Sequence, residues 1–158
     1  MQHNQLKLED VKRNTYITYG WDHFNKDKFV PVRNNNYINK PFGGLWACNA
    51  KSNDWYNFCK SEDFKAESLS KHFKFKLSAD ARILMFDSVY NVLYCPQIKD
   101  PIIMFDNIKS VYPDFEEISK YFDAIWYSKS RYQLYYMLYG WDVDSLLVLN
   151  PDIIIPTN

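Results

Sequence analysis

Apolar and aromatic residues in this chain come in short segments, each closed by glycine, proline or a polar cluster. Thr15 to Tyr19 reads TYITY and ends at Gly20; Leu45 to Cys48 reads LWAC and leaves the turn Lys40-Pro41-Phe42-Gly43-Gly44. Ala81 to Phe86 (ARILMF), Ala124 to Tyr127 (AIWY), Ser145 to Asn150 (SLLVLN) and Ile153 to Ile155 follow the same pattern. Segments this short, rich in β-branched and aromatic types, predict strands rather than long helices. His72 to Leu77 (HFKFKL) alternates polar with apolar, which predicts a half-buried strand whose lysine-rich outer face guards a sheet edge. Helices are expected to be short. Ser52 or Asn53 caps one through Cys59, Asp87 caps one through Tyr94 that Pro96 ends, and Pro113 to Phe122 forms another. Lys129 to Tyr139 is helix or loop ending at Gly140, and Pro151 and Pro156 keep the last strands short. Strands and helices mix without βαβ alternation, so the fold class is α+β with mainly antiparallel strands.

The chain's 158 residues fit a single domain, taken as 1–158. At 47% hydrophobic and 24% charged it has material for a core and no case for disorder. Lys plus Arg and Asp plus Glu are both 19, so net charge gives no sign of a protein that coats nucleic acid. No apolar run nears the roughly 20 residues that span a bilayer, and the start MQHNQLKLED is no signal peptide. A cytoplasmic protein without a membrane partner is expected. Cys48, Cys59 and Cys95 form no CxxC pair, and His3, His23 and His72 show no ligand spacing. Buried free thiols and no metal are the reading. Aromatics make up 18% of the chain; most must be core, and some are available for interfaces or stacking on planar ligands.

Three segments stand out in order and character. They are Tyr16-Ile17-Thr18-Tyr19-Gly20, then Gly43-Gly44-Leu45-Trp46-Ala47-Cys48 with Ser52 to Cys59, then Trp141-Asp142-Val143-Asp144-Ser145. They resemble the three signature blocks of the ADP-ribosyltransferase fold, in its diphtheria-toxin and poly(ADP-ribose) polymerase branch. That family has an aromatic-His-Gly block, a Gly-Ile-Tyr-Phe block followed by a Ser and an aromatic-bearing helix, and a catalytic Glu opening a last strand. The segments Lys-Pro-x-Gly-Gly-Leu-Trp and Leu-Tyr-Gly-Trp-Asp also resemble small bacterial and phage proteins. The resemblance implies mainly antiparallel, split β-sheets around a cleft with flanking short helices.

It also implies a chemistry. Transfer of ADP-ribose from NAD, here a substrate, breaks the nicotinamide–ribose bond through an oxocarbenium-like transition state. A flat aromatic holds the nicotinamide, backbone beside a glycine binds its carboxamide, and a carboxylate near the ribose stabilises the developing positive charge. On the resemblance, Tyr19, Gly20, Gly44, Trp46, Ser52, Trp55 and Tyr56 bind NAD. Asp144 is the catalytic carboxylate, with Asp142 one pleat away on the same side of a strand. Tyr19 stands where the family has His, and Asp144 where it has Glu, one methylene longer. The implied partner is a macromolecular target, a host protein. The plainer reading of the same residues makes Trp46, Trp55 and Trp141 core, the glycines turns, and the two aspartates a solvated strand end. With it goes a second function: a non-enzymatic inhibitor, phage- or mobile-element-encoded, that binds a host protein through an aromatic surface.

Overall fold

The computed structural model describes residues 7–99, 111–129 and 132–157. His3 and most of the polar first segment lie outside them. Each short apolar run is a strand: β1 (Tyr16–Tyr19), β2 (Leu45–Asn49), β3 (His72–Leu77), β4 (Ile83–Phe86), β5 (Ala124–Tyr127), β6 (Ser145–Val148) and β7 (Ile154–Thr157). They form one sheet in the order β4-β5-β6-β2-β1-β3-β7. β4 and β5 run parallel, and every other pairing is antiparallel among the described residues. The class is α+β. The split β-sheets expected are instead a single, mostly antiparallel open sheet.

That sheet parts locally at its centre. The β1–β2 ladder covers Tyr16 opposite Asn49 and Ile17 opposite Cys48, and ends there. Beyond it Thr18 and Tyr19 pair with β3, while Leu45 to Ala47 pair with β6. The Thr18 hydroxyl donates to the Trp46 carbonyl at 2.8 Å, a side-chain bridge where the backbone ladder has stopped.

Alternation along the strands builds a core on each face. One holds Tyr16, Phe73, Phe75, Trp126, Leu146 and Val148, closed by Val11 of α1 (Leu8–Arg13), whose carbonyl accepts from the Tyr16 hydroxyl at 2.5 Å. The other holds Ile125, Tyr127 and Leu147 under Leu134, Leu138 and Trp141. Over it lie α3 (Val89–Leu93), α4 (Phe115–Ile118) and α5 (Tyr132–Met137). Truncating one of the large buried aromatics costs about 3–5 kcal/mol.

Several expectations are corrected in detail. β3 is not an edge: its lysines do face solvent, but the strand sits between β1 and β7. Ser88, not Asp87, caps α3, its hydroxyl oxygen accepting from the Asn91 N–H at 3.2 Å. The helix expected over 113–122 is regular only at Phe115–Ile118. Pro156 does not end the last strand but lies within β7, an edge strand where a missing N–H is tolerated.

Two anchors fix the ends of the central strands. At the end away from the cleft, Asp123 accepts from the Arg82 backbone N–H at 2.8 Å and from its guanidinium at 3.1 Å. It also accepts from the Asn150 amide at 3.0 Å. At the same end, just ahead of Leu45 opposite Val148, Gly44 donates to the Val30 carbonyl at 2.7 Å with φ +67°. A Cβ there would lie 2.6 Å from Leu147 Cδ1.

Candidate functional site

The cleft opens where β1 and β2 part, with a volume of about 390 Å³. Ile17 and Tyr19 of β1 and Trp46, Ala47 and Cys48 of β2 form its floor. On the β1 side rises α2 (Asp54–Ser61), contributing Trp55, followed by Lys65 and Ser68. On the β6 side stand Lys40 and the connection from Gly140 to Ser145, with Asp142 in it. This size matches small-molecule sites, commonly about 300–1,000 Å³.

Local sequence explains the floor and walls. Tyr19 ends its strand at Gly20, and its hydroxyl donates to Asn53 Oδ1 at 2.7 Å. Its ring lies 6.3 Å from that of Tyr56 and 5.7 Å from that of His72. Burial pushes the Tyr19 hydroxyl above its ordinary pKa, so it remains a hydrogen-bond donor at neutral pH. Trp55 stacks on Phe58 at 5.5 Å and meets the edge of Phe64 at 6.1 Å, which fixes the wall. Asn53 precedes α2 in a left-handed conformation, φ 53°, and makes no side-chain cap.

The β6-side wall is latched to the loop before β2. Trp141, fully buried, donates its indole N–H to the Asn39 carbonyl at 2.7 Å. The Asn39 amide donates to the Met137 carbonyl at 2.7 Å and to that of Val111 at 3.1 Å. The Lys40 ammonium donates to the Gly140 carbonyl at 2.9 Å and lies 5.1 Å over the Trp46 ring, whose own edge contact with Trp141 spans 4.6 Å. Burial draws the Lys40 pKa down; Asp142 works against that and Lys65 adds to it.

The candidate residues divide. Tyr19, Trp46, Trp55 and Asp142 line the cleft together. Gly20, Gly44, Ser52, Tyr56 and Asp144 are not part of its lining. Gly44 is packed against its own chain, and the Ser52 hydroxyl donates to Asp54 at 2.9 Å in the first turn of α2. The two aspartates are not on a strand, as pleat alternation requires; both precede β6, which begins at Ser145. Asp144 accepts from the Lys129 backbone N–H at 2.6 Å, so Asp142 is the carboxylate of the cleft.

Sequence reasoning missed Lys40, Lys65 and Tyr127. Lys40 had a signal, since it opens the turn feeding β2; Lys65 had none. Among the described residues the Tyr127 hydroxyl is buried without a hydrogen-bond partner, and burial plus the Asp144 and Asp142 carboxylates hold it protonated. All three cysteines are free and buried. Burial pushes the Cys48 thiol up to about 11, so it is no thiolate nucleophile at neutral pH. Among the described residues no cluster of His, Cys, Asp or Glu is arranged to hold a metal, and no helix is long and apolar enough to cross a membrane. Comparison with protein-family models, curated proteins and solved structures finds no match to this chain.

Proposed function

We propose that this chain is an ADP-ribosyltransferase-like domain that takes NAD into the cleft and transfers ADP-ribose to a macromolecular target. One observation carries the reading. Three segments far apart in sequence each supply a side chain to one cleft: Tyr19 from the first, Trp46 and Trp55 from the second, Asp142 from the third. A flat ring against an aromatic wall and a carboxylate on the facing side are what nicotinamide–ribose cleavage needs.

In this reading the nicotinamide lies toward Trp55, with the Tyr19 hydroxyl available to the ribose. The bond between ribose C1′ and the ring nitrogen breaks, and its electron pair leaves with neutral nicotinamide. Positive charge grows on the ribose, where the Asp142 carboxylate stabilises it. The acceptor's lone pair then bonds to C1′, and its proton passes to solvent; water as acceptor gives hydrolysis. The test is incubation of labelled NAD with a host lysate, beside an Asp142→Ala variant. Labelling by the wild type and none by the variant supports the reading. Equal labelling by both, or none by either together with no NAD binding, overturns it.

A second reading rests on a different surface. Tyr90 and Tyr94 of the α3 region are 70% and 83% exposed, and their rings stack nearly parallel, 6.4 Å apart at 7°. Exposed, paired tyrosines are residues that binding surfaces favour, and they support a protein that inhibits a host partner. A pull-down from lysate with a Tyr90→Ser/Tyr94→Ser control tests it; identical capture by both proteins contradicts it.

A further inference from the structure

The charges lining the cleft do not balance, although those of the whole chain do. Among the described residues, Lys40, Lys65 and Asp142 are the charged side chains of the lining, two cations to one anion, in a chain of formal net charge zero. The lysines come from different directions. Lys40 stands on the β6 side, and Lys65 on the β1 side in the turn after α2. Among the described residues neither has a carboxylate within ion-pair distance. Among the described residues the Lys40 ammonium makes one hydrogen bond, to the Gly140 carbonyl, and it has two further N–H donors. Lys65 sits 5.2 Å over the Phe64 ring. Both are held by neutral groups, and their charges repel across the cleft.

We infer that Lys40 and Lys65 form a two-sided anion seat, and that the group it takes is a phosphate of a nucleotide whose ring lies on the aromatic side. The chemistry is direct. An ammonium is a compact point charge suited to phosphate, and bonds between two charged groups are about twice as strong as neutral ones. Two like charges turned into one concavity cost free energy when it holds only water, and a dianion relieves that cost. Burial is the main cause of the lowered pKa of Lys40, Asp142 opposes it, and Lys65 adds a smaller lowering in the direction of this repulsion. Ser68 adds a hydroxyl on the Lys65 side, its Oγ now donating to the Lys65 carbonyl at 2.8 Å. Asp142 stands on the Lys40 side and offsets part of that lysine's charge, so the lining keeps an excess of one positive charge for an anion.

The inference deepens the NAD reading and rests on its cleft, but it concerns binding and not bond cleavage. Calorimetric titration with ADP, inorganic pyrophosphate and adenosine tests it, alongside a separate assay for nicotinamide release from NAD. ADP and pyrophosphate are expected to bind, with affinity falling as salt rises, and adenosine to bind at least about tenfold more weakly than ADP. Lys40→Met and Lys65→Met should each weaken ADP by about tenfold, with adenosine unchanged. Lys40→Arg should retain binding and shows that the change at this half-buried position is one of charge. Lys28→Met, on an exposed turn away from the cleft, should have no effect. Adenosine binding as tightly as ADP, loss at one lysine alone, or no binding of ADP or pyrophosphate overturns the seat. ADP binding without nicotinamide release sinks the enzymatic reading and leaves the seat standing.

Discussion

The indole N–H of Trp141 donates to the carbonyl of Asn39 at 2.7 Å, joining positions 102 apart in sequence. This bond ties the connection carrying Asp142 to the loop that feeds β2. With Lys40 on Gly140 and Asn39 on Met137, it makes one wall of the cleft a continuation of the core. The position of Asp142 therefore depends on a residue that itself packs against Phe86, Phe115 and Tyr127.

Trp141→Phe keeps a ring in the core and removes the donor, leaving a buried carbonyl unpaired. The expected loss is about 2–3 kcal/mol, read as a fall in melting temperature of about 5–10 °C. Ligand binding in the cleft should weaken with it. An unchanged melting curve would show that the latch carries no stability.

Gly43→Ala should prevent folding. At φ +74° a new Cβ would stand 2.3 Å from the Pro31 carbonyl oxygen and 2.8 Å from that of Val30, both backbone atoms. The left-handed conformation alone costs about 1–2 kcal/mol for an L-residue. Gly20→Ala meets nothing within 4 Å and should cost only that conformational part. Circular dichroism melts of the two variants check the ranking, and equal stability would contradict it.

Asp123 gives the acid limb of stability. Burial alone would raise its pKa, but hydrogen bonds from Arg82 and Asn150 outweigh it and hold the carboxyl below its ordinary value. A depressed carboxylate contributes stability that is full above the ordinary value of about 3.9 and is lost as pH falls through the folded-state value. Denaturant midpoints between pH 7 and pH 2 should fall more steeply for the wild type than for Asp123→Asn. Parallel curves would remove Asp123 from the acid response.

The three thiols should be inert in the folded protein. With its pKa pushed up to about 11, Cys48 is about one thousandth thiolate at pH 8, and Cys95 is pushed up to about 12. Burial raises Cys59 as well. A colorimetric thiol reagent should therefore react only as fast as the chain unfolds. Cys48 reacting at once would place a nucleophile in the cleft and reopen its chemistry.

Much of the sheet was legible because period-two patterning is a local signal. HFKFKL gives the buried and exposed positions of β3 directly, and AIWY and SLLV are strands because they are covered on both faces. What the pattern does not carry is partner choice. Nothing in HFKFKL says whether the strand has one neighbour or two, so its lysines suggested an edge that β7 in fact occupies. Caps failed for a related reason: Asp87 and Ser88 are both good capping types, and a one-residue difference in helix start decides between them. In the cleft, Tyr19, Trp46 and Trp55 were legible from segment order. The roles of Asp142 and Asp144 were not, because they hang on where β6 begins and on a bond to the Lys129 backbone. Lys40 and Lys65 enter through turns, and no spacing relates them.

The most direct measurement of the central claim is nicotinamide release from NAD by the wild type, Asp142→Asn and Asp144→Asn, with folding of each checked by its melting curve. The cleft carboxylate is Asp142, so its loss should lower release by about a hundredfold or more, the scale of removing one charge-stabilising group. Asp144→Asn, whose carboxylate accepts from Lys129, should fall by less than about tenfold. No release by the wild type, or full release by Asp142→Asn with none by Asp144→Asn, would contradict the account.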